Sequence, residues 1–264
     1  MKNYKVVILA GGLGTRLSEE TITKPKPMVN IGNRPILWHI MKIYSYYGFN
    51  DFIICVGYLG NLIKEYFNNY NLYNSNLTFD LKQNKKIIIN NSTENWKVTI
   101  VDTGLNTNTG GRLKRINDFI HTDKTFLMTY GDGLANVNIK KLLSQHMQSK
   151  KIATVTAVKP IARFGSLKIN KNNNLVSNFS EKITGDNEWI NGGFFVFNKK
   201  IFDYIDNDQT VLEKEPLENI TKKNNLSAYI HKDFWHPMDT LRDKTYLDRL
   251  YHNNEAPWKI WKDD

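Results

Sequence analysis

Two cations and two carboxylates carry most of the chemistry legible in this chain. Arg16 stands just past the glycines Gly11, Gly12 and Gly14, and Lys26 lies inside the segment Lys24-Pro25-Lys26-Pro27. A glycine turn after a buried strand frees backbone N–H groups for a phosphate, and an arginine beside it forks onto phosphate oxygens. Prolines on both sides of Lys26 restrict its backbone, so its ammonium is a fixed charge. Rigid positive charge beside a glycine turn suits a triphosphate. The carboxylates are Asp132, after the apolar run 126–130, and Asp239, in the turn-like Pro237-Met238-Asp239-Thr240. Phosphoryl chemistry runs mainly on positioning and electrostatics, with Mg2+ held by one or two carboxylates. Asp239 reads equally well as a helix N-cap or a turn acid.

Other phosphate loops do not fit. A Walker loop needs Lys followed by Ser or Thr directly after its glycines, and this chain has no such element. A dinucleotide fingerprint needs a third glycine where Leu17 stands and an acid at the end of the second strand, which instead ends Val56-Gly57-Tyr58. No His or Cys spacing supports zinc.

The elements that must position these groups follow from the apolar pattern. Continuous apolar runs alternate with amphipathic stretches, as in a mainly parallel sheet covered on both faces. Strands are predicted over 5–10, 51–56, 96–101, 125–130 and 152–158, with shorter pieces at 167–169, 176–180, 190–197 and 226–231. Helices are predicted over 61–70, 111–120, 139–148 and 241–251, with another opened by Pro35 and closed by Gly48 in the left-handed conformation. The expected fold class is α/β: a Rossmann-like three-layer arrangement about a mixed, mainly parallel sheet, with a small β excursion. That excursion is 71–95, rich in Asn and Lys with β-like runs at 77–81 and 87–89, read as a hairpin or a partner surface. A single domain over 1–264 is expected, ending in a helix and tail over 240–264. Trp258 and Trp261, three apart, favour docking of that tail on the body or on another subunit.

Composition narrows the class. The chain has 264 residues, 41% of them hydrophobic, enough for a full core. Its formal net charge of +10 comes mostly from scattered pairs such as Lys140-Lys141 and Lys199-Lys200. Such pairs suit solvated helix ends better than a polynucleotide groove, so no nucleic-acid partner is expected. Only five apolar residues, 6–10, precede the first glycine pair, too few for a signal-peptide core or a membrane span. A lone cysteine, Cys55, precludes an internal disulfide and fits the reducing cytoplasm.

The segment Leu9-Ala10-Gly11-Gly12-Leu13-Gly14-Thr15-Arg16-Leu17 with Lys24-Pro25-Lys26-Pro27-Met28 resembles the signature of the sugar-1-phosphate nucleotidyltransferases. Further matching blocks follow in the family's order. They include Thr109-Gly110-Gly111-Arg112, Tyr130-Gly131-Asp132-Gly133, Arg163-Phe164-Gly165, Ser180-Glu181-Lys182, Ile190-Asn191-Gly192-Gly193 and Trp235-His236-Pro237-Met238-Asp239. The chain looks most like the members that join CTP to glucose 1-phosphate.

The resemblance implies a GT-A-like nucleotidyltransferase fold and a set of roles. Arg16 and Lys26 would be the catalytic cations. Leu9, Ala10, Gly11, Gly12, Gly14, Thr15, Thr109, Gly110, Gly111 and Arg112 would join them and Asp132 in binding nucleotide, with the base against 109–112. Gly165, Glu181, Lys182, Asn191 and Gly192 would bind the sugar phosphate, and Asp132 with Asp239 would hold Mg2+. Many relatives continue Glu-Lys with proline, where this chain has Ile183. A homo-oligomer and a supply of CDP-glucose for bacterial surface polysaccharide are implied as well. Other triphosphates or sugar phosphates, a non-catalytic nucleotide-sugar sensor and, last, RNA binding stand as alternatives.

Overall fold

Val6, Val7 and Ile8 are all fully buried because the strand they form, β1 (Lys5–Ala10), runs through the middle of the sheet and is covered on both faces. Six more strands complete it: β2 (Asp51–Val56), β3 (Lys97–Asp102), β4 (Thr125–Tyr130), β5 (Ala153–Val158), β6 (Ile190–Asn198) and β7 (Leu226–Ile230). The computed structural model describes residues 4–91, 93–120, 124–159, 166–169, 175–180 and 189–262. The seven-stranded order is β7-β5-β6-β4-β1-β2-β3, with β6 alone running antiparallel to its neighbours.

The two-residue strand period divides the core. Val6, Ile8, Ala10, Phe52 and Ile54 face one layer, built on the helix Ile36–Tyr46. Val7, Leu9, Ile53, Cys55 and Met128 face the other, against Leu113, Ile116 and Ile220. Truncating one such side chain, as in Ile54→Ala, removes buried area and leaves a cavity, at a cost of about 2–5 kcal/mol.

Predicted elements differ from observed ones mainly at their ends. The third strand begins at Lys97, and the helix predicted over 111–120 is the six-residue helix Thr109–Lys114 followed by a 3₁₀ turn, Asn117–Ile120. The helix predicted over 61–70 is likewise two, Gly60–Asn68 and Tyr70–Asn74. Ser75–Asp80 and Lys85–Asn91 pair as an antiparallel hairpin. Trp258, fully buried, directs Nε1 at His39 Nδ1 from 3.4 Å, and the Trp261 ring meets Trp38 at 5.7 Å, so the tail docks on the body. The short strands predicted over 167–169 and 176–180 are the antiparallel pair Ser166–Ile169 and Val176–Ser180.

Candidate active site

Strands β1 to β4 run parallel, so their C-terminal ends meet at one edge, where an open α/β sheet binds ligands. A cavity of about 610 Å³ opens at that edge. It is lined by Leu9, Ala10, Gly11, Gly12, Gly14, Thr15, Arg16, Lys26, Thr109, Arg112, Asp132, Asn191, Gly192 and Asp239 from the predicted set. Gly165, Glu181 and Lys182 lie outside the described residues. A wider cleft of about 1080 Å³, with Lys150, Lys200, Asp203 and Glu215 on its walls, has neither a glycine turn nor converging carboxylates.

The charged centre is assembled by a short ribbon. Gly133–Ala135 pairs antiparallel with Trp235–Pro237, setting Pro237 opposite Gly133, and the Met238 N–H donates to the Asp132 carbonyl at 2.8 Å. This register brings Asp132 and Asp239 together across 107 positions of sequence. The following helix, Leu241–His252, is capped by Thr240 in a capping box with Asp243, so the carboxylate of Asp239 is released from capping. It turns instead to the cations: Lys26 Nζ lies 2.8 Å from Asp132 Oδ2 and 2.7 Å from Asp239 Oδ1, and Arg16 Nη1 lies 2.8 Å from Asp239 Oδ2.

Lys26 and Arg16 differ in surroundings. Burial opposes the charge on Lys26, yet the Asp132 and Asp239 carboxylates together outweigh it and raise its pKa above the ordinary lysine value. Its ammonium is therefore a permanent cation. The Arg16 side chain is 71% exposed, a mobile-length guanidinium at the rim held by one partner.

Arg112 reaches the cavity wall by way of the glycine turn. It is 4% exposed, and its guanidinium donates to the Gly11 and Leu105 carbonyls through Nη2 and to Thr103 Oγ1 and the Gly104 and Val56 carbonyls through Nη1. Those bonds tie the turn after β1 to the ends of β2 and β3. Gly110 and Gly111 stand apart from the cavity. Both N–H groups donate to the Thr210 carbonyl, and a Cβ on either would strike the backbone of 208–210 within 2.7 Å. They let that loop approach the helix Thr109–Lys114, and the backbone N–H groups expected to face a base pair with it instead in this structure.

Sequence reasoning left Tyr130, Trp235 and Glu213 out of the site; the first two line the cavity, and Glu213 stands behind its wall. The Thr109 hydroxyl donates to Glu213 Oε2 at 2.6 Å, the Tyr130 hydroxyl donates to Glu213 Oε1, and Asn191 Nδ2 donates to the Tyr130 oxygen at 3.3 Å. Burial, then the Glu213 charge, raises the Tyr130 pKa, so the phenol keeps its proton. Trp235 Nε1 donates to the Gly192 carbonyl at 2.8 Å. Beside it, Val155 pairs with Phe195 but Ala157 with Asn191, so β6 bulges, and Gly193, at φ +80°, lets the Tyr130 ring approach. Trp235 had a signal in its flanking block; Glu213 had none.

A cavity at the carboxyl edge of a parallel sheet, where a glycine turn, a fixed lysine, a rim arginine and paired carboxylates converge, has the build of a nucleotide-handling transferase. The chain belongs to the nucleotidyl transferase family, whose model matches residues 5–263. Glucose-1-phosphate cytidylyltransferase of Salmonella typhimurium is 54% identical over 258 residues, 98% of this chain and all of that one. A Bacillus subtilis protein named probable glucose-1-phosphate cytidylyltransferase is 44% identical over 97% of this chain and all of its own length. Among solved structures, HddC from Yersinia pseudotuberculosis matches with a TM-score of 0.68 at 25% identity, covering 94% of this chain and 99% of that one. UDP-glucose pyrophosphorylase shares the fold, with a TM-score of 0.67 at 16% identity over 96% and 99% of the two chains.

Proposed function

We propose that the protein transfers the cytidylyl group of CTP to glucose 1-phosphate, forming CDP-glucose and pyrophosphate. The observation that carries this is 54% identity, over 98% of the chain, to an enzyme named for that reaction. The site geometry supports it. A phosphate oxygen of the sugar phosphate forms a bond to the α-phosphorus in line with the bridging oxygen to the β-phosphate, that bond breaks, and pyrophosphate carries the electron pair away.

Both reactants are anions, so the residues act mainly by cancelling charge. Lys26 offers a fixed ammonium, Arg16 a guanidinium long enough to follow the leaving pyrophosphate, and the Gly11–Gly14 turn its backbone N–H groups. Asn191 and the carbonyl-fixed Gly192 offer polar contacts to sugar hydroxyls, with Gly165, Glu181 and Lys182 assigned to the sugar phosphate by resemblance.

Asp132 and Asp239 fit a hard divalent cation: both carboxylates reach the same ammonium, which marks the point where they share a positive charge. No group of three or more His, Cys, Asp or Glu that could hold a metal gathers among the described residues, so the protein's share of the donor set is this pair of carboxylates. Two carboxylates with phosphate oxygens and water make the donor set that Mg2+ takes. When bound, Mg2+ would offset the repulsion between the two phosphates.

We place the reaction in the cytoplasm; no described helix is long and apolar enough to cross a membrane. The hairpin is our assigned surface for self-association, since Phe79, Leu81, Ile87, Ile88 and Ile89 are all exposed on it. The test of the reaction is pyrophosphate release with Mg2+ and glucose 1-phosphate, supplying CTP, UTP, dTTP, ATP and GTP separately. CDP-glucose formed from CTP alone is expected; release with another triphosphate and none with CTP would refute it.

A further inference from the structure

Glu213 lies on a loop, 104 positions from Thr109, yet its two carboxylate oxygens accept the hydroxyls of two cavity-lining residues, Thr109 and Tyr130. A carboxylate accepts hydrogen bonds and donates none, so it dictates which way both hydroxyl hydrogens point. A threonine oxygen has one hydrogen and two lone pairs. In Thr109 the hydrogen goes to Glu213 and one lone pair takes the Leu212 N–H at 2.9 Å. The hydroxyl therefore has a single capacity left, as an acceptor.

The position of Thr109 makes that capacity matter. Arg112 draws the Gly11 carbonyl against this helix, so 107–109 form the wall continuous with the glycine turn, whereas Asn191 and Gly192 stand across Tyr130. A nucleoside is covalently joined to the phosphate seated at that turn, so its base lies along the continuous wall. We infer that Glu213 is a positioning residue for base selection: it fixes Thr109 as an acceptor, which suits the exocyclic amine of cytosine and opposes the exocyclic carbonyl of uracil or thymine. This rests on the cytidylyl transfer proposed above.

Glutamine is the informative replacement. Its amide group donates as well as accepts, so it frees the Thr109 hydrogen to turn into the cavity and meet a carbonyl. The experiment compares kcat/KM for CTP and UTP in the wild-type protein, Glu213→Gln, Thr109→Val and Thr109→Ser, with thermal melts for each. Wild type is expected to prefer CTP. Glu213→Gln should narrow that preference by about tenfold or more, with KM for glucose 1-phosphate unchanged. Thr109→Val should also narrow it, and Thr109→Ser, which restores the hydroxyl, should keep it. An unchanged CTP-to-UTP ratio in folded Glu213→Gln overturns the inference, as does a change confined to KM for glucose 1-phosphate. Should Glu213→Gln be unfolded or inactive, Thr109→Val decides, and a retained preference there overturns it. Equal use of CTP and UTP by the wild-type protein would instead remove the cytidylyl reading itself, before any variant is compared.

Discussion

Arg112 lies directly under Gly11: its Nη2 donates to the Gly11 carbonyl at 2.9 Å, and a methyl group on Gly11 would stand 2.1 Å from Nη1. An arginine head usually moves aside cheaply, but this one holds five acceptors at once. Gly11→Ala should therefore break part of that set, and overpacking of this kind costs about 1–3 kcal/mol. Urea denaturation checks the stability. KM for the triphosphate should rise as well if the turn carrying the displaced carbonyl binds it; an unchanged KM would show that the turn does not touch nucleotide.

Lys26 should be indispensable for turnover rather than for folding. Removing one donor aimed at developing charge costs roughly 10²- to 10³-fold in kcat, and Lys26→Met is expected to fall in that range. Its raised pKa sets the pH behaviour of the cluster. The folded protein holds the proton more tightly than the unfolded chain, so the stabilisation is complete below the ordinary lysine value of 10.5 and is lost only as pH rises through the higher folded value. Denaturation midpoints of wild type and Lys26→Met should differ by a constant amount from pH 7 to 9 and converge at more alkaline pH.

Asp132→Asn and Asp239→Asn should each remove Mg2+-dependent turnover while leaving the circular dichroism spectrum unchanged. Neither side chain is part of the apolar core, and the ribbon that aligns them is made by backbone pairing. Titrating Mg2+ against rate checks this; a variant with wild-type Mg2+ dependence would exclude that carboxylate as a ligand.

Much of this centre was legible because its chemistry is written in residue types. Arg16, Lys26, Asp132 and Asp239 are distinctive beside glycines and prolines, and the sheet that gathers them announces itself in buried runs such as Phe52-Ile53-Ile54-Cys55-Val56. Asp239 was ambiguous only until Thr240 is seen to take the cap, and the Thr240-to-Asp243 spacing carried that signal in the sequence. Gly110 and Gly111 were ambiguous because a missing side chain serves a ligand and a neighbouring loop equally well. Glu213 was illegible. Val211-Leu212-Glu213-Lys214 has the composition of any solvated loop, and its role comes from a tertiary approach that no local pattern encodes.

Two buried histidines should make the protein acid-sensitive. Burial pushes His39 and His146 from 6.5 down to about 4. Their neutral rings fit the fold: His39 Nε2 meets the Ile31 carbonyl at 2.9 Å and His146 Nδ1 meets Thr154 Oγ1 at 3.0 Å. The unfolded chain takes up protons first, so stability is complete above pH 6.5 and declines as pH falls from there towards 4, by on the order of 3 kcal/mol for each ring. Urea midpoints measured from pH 7.5 to 4.5 should show this decline, and His146→Gln should flatten it. An identical slope in the variant would assign the acid sensitivity elsewhere.

The hairpin should govern self-association. Leu81, in the turn of the hairpin, is 89% exposed and Ile89, on its second strand, 61%, a costly arrangement for apolar side chains left in water. A second copy would cover them at no expense to the sheet, because the core residues of β1 to β4 lie elsewhere. Leu81→Asp with Ile89→Asp should leave the thermal melt of the body unchanged and reduce the mass measured by light scattering. Wild-type protein of 30.7 kDa in solution, or variants with unaltered assembly, would show that the hairpin is not the contact.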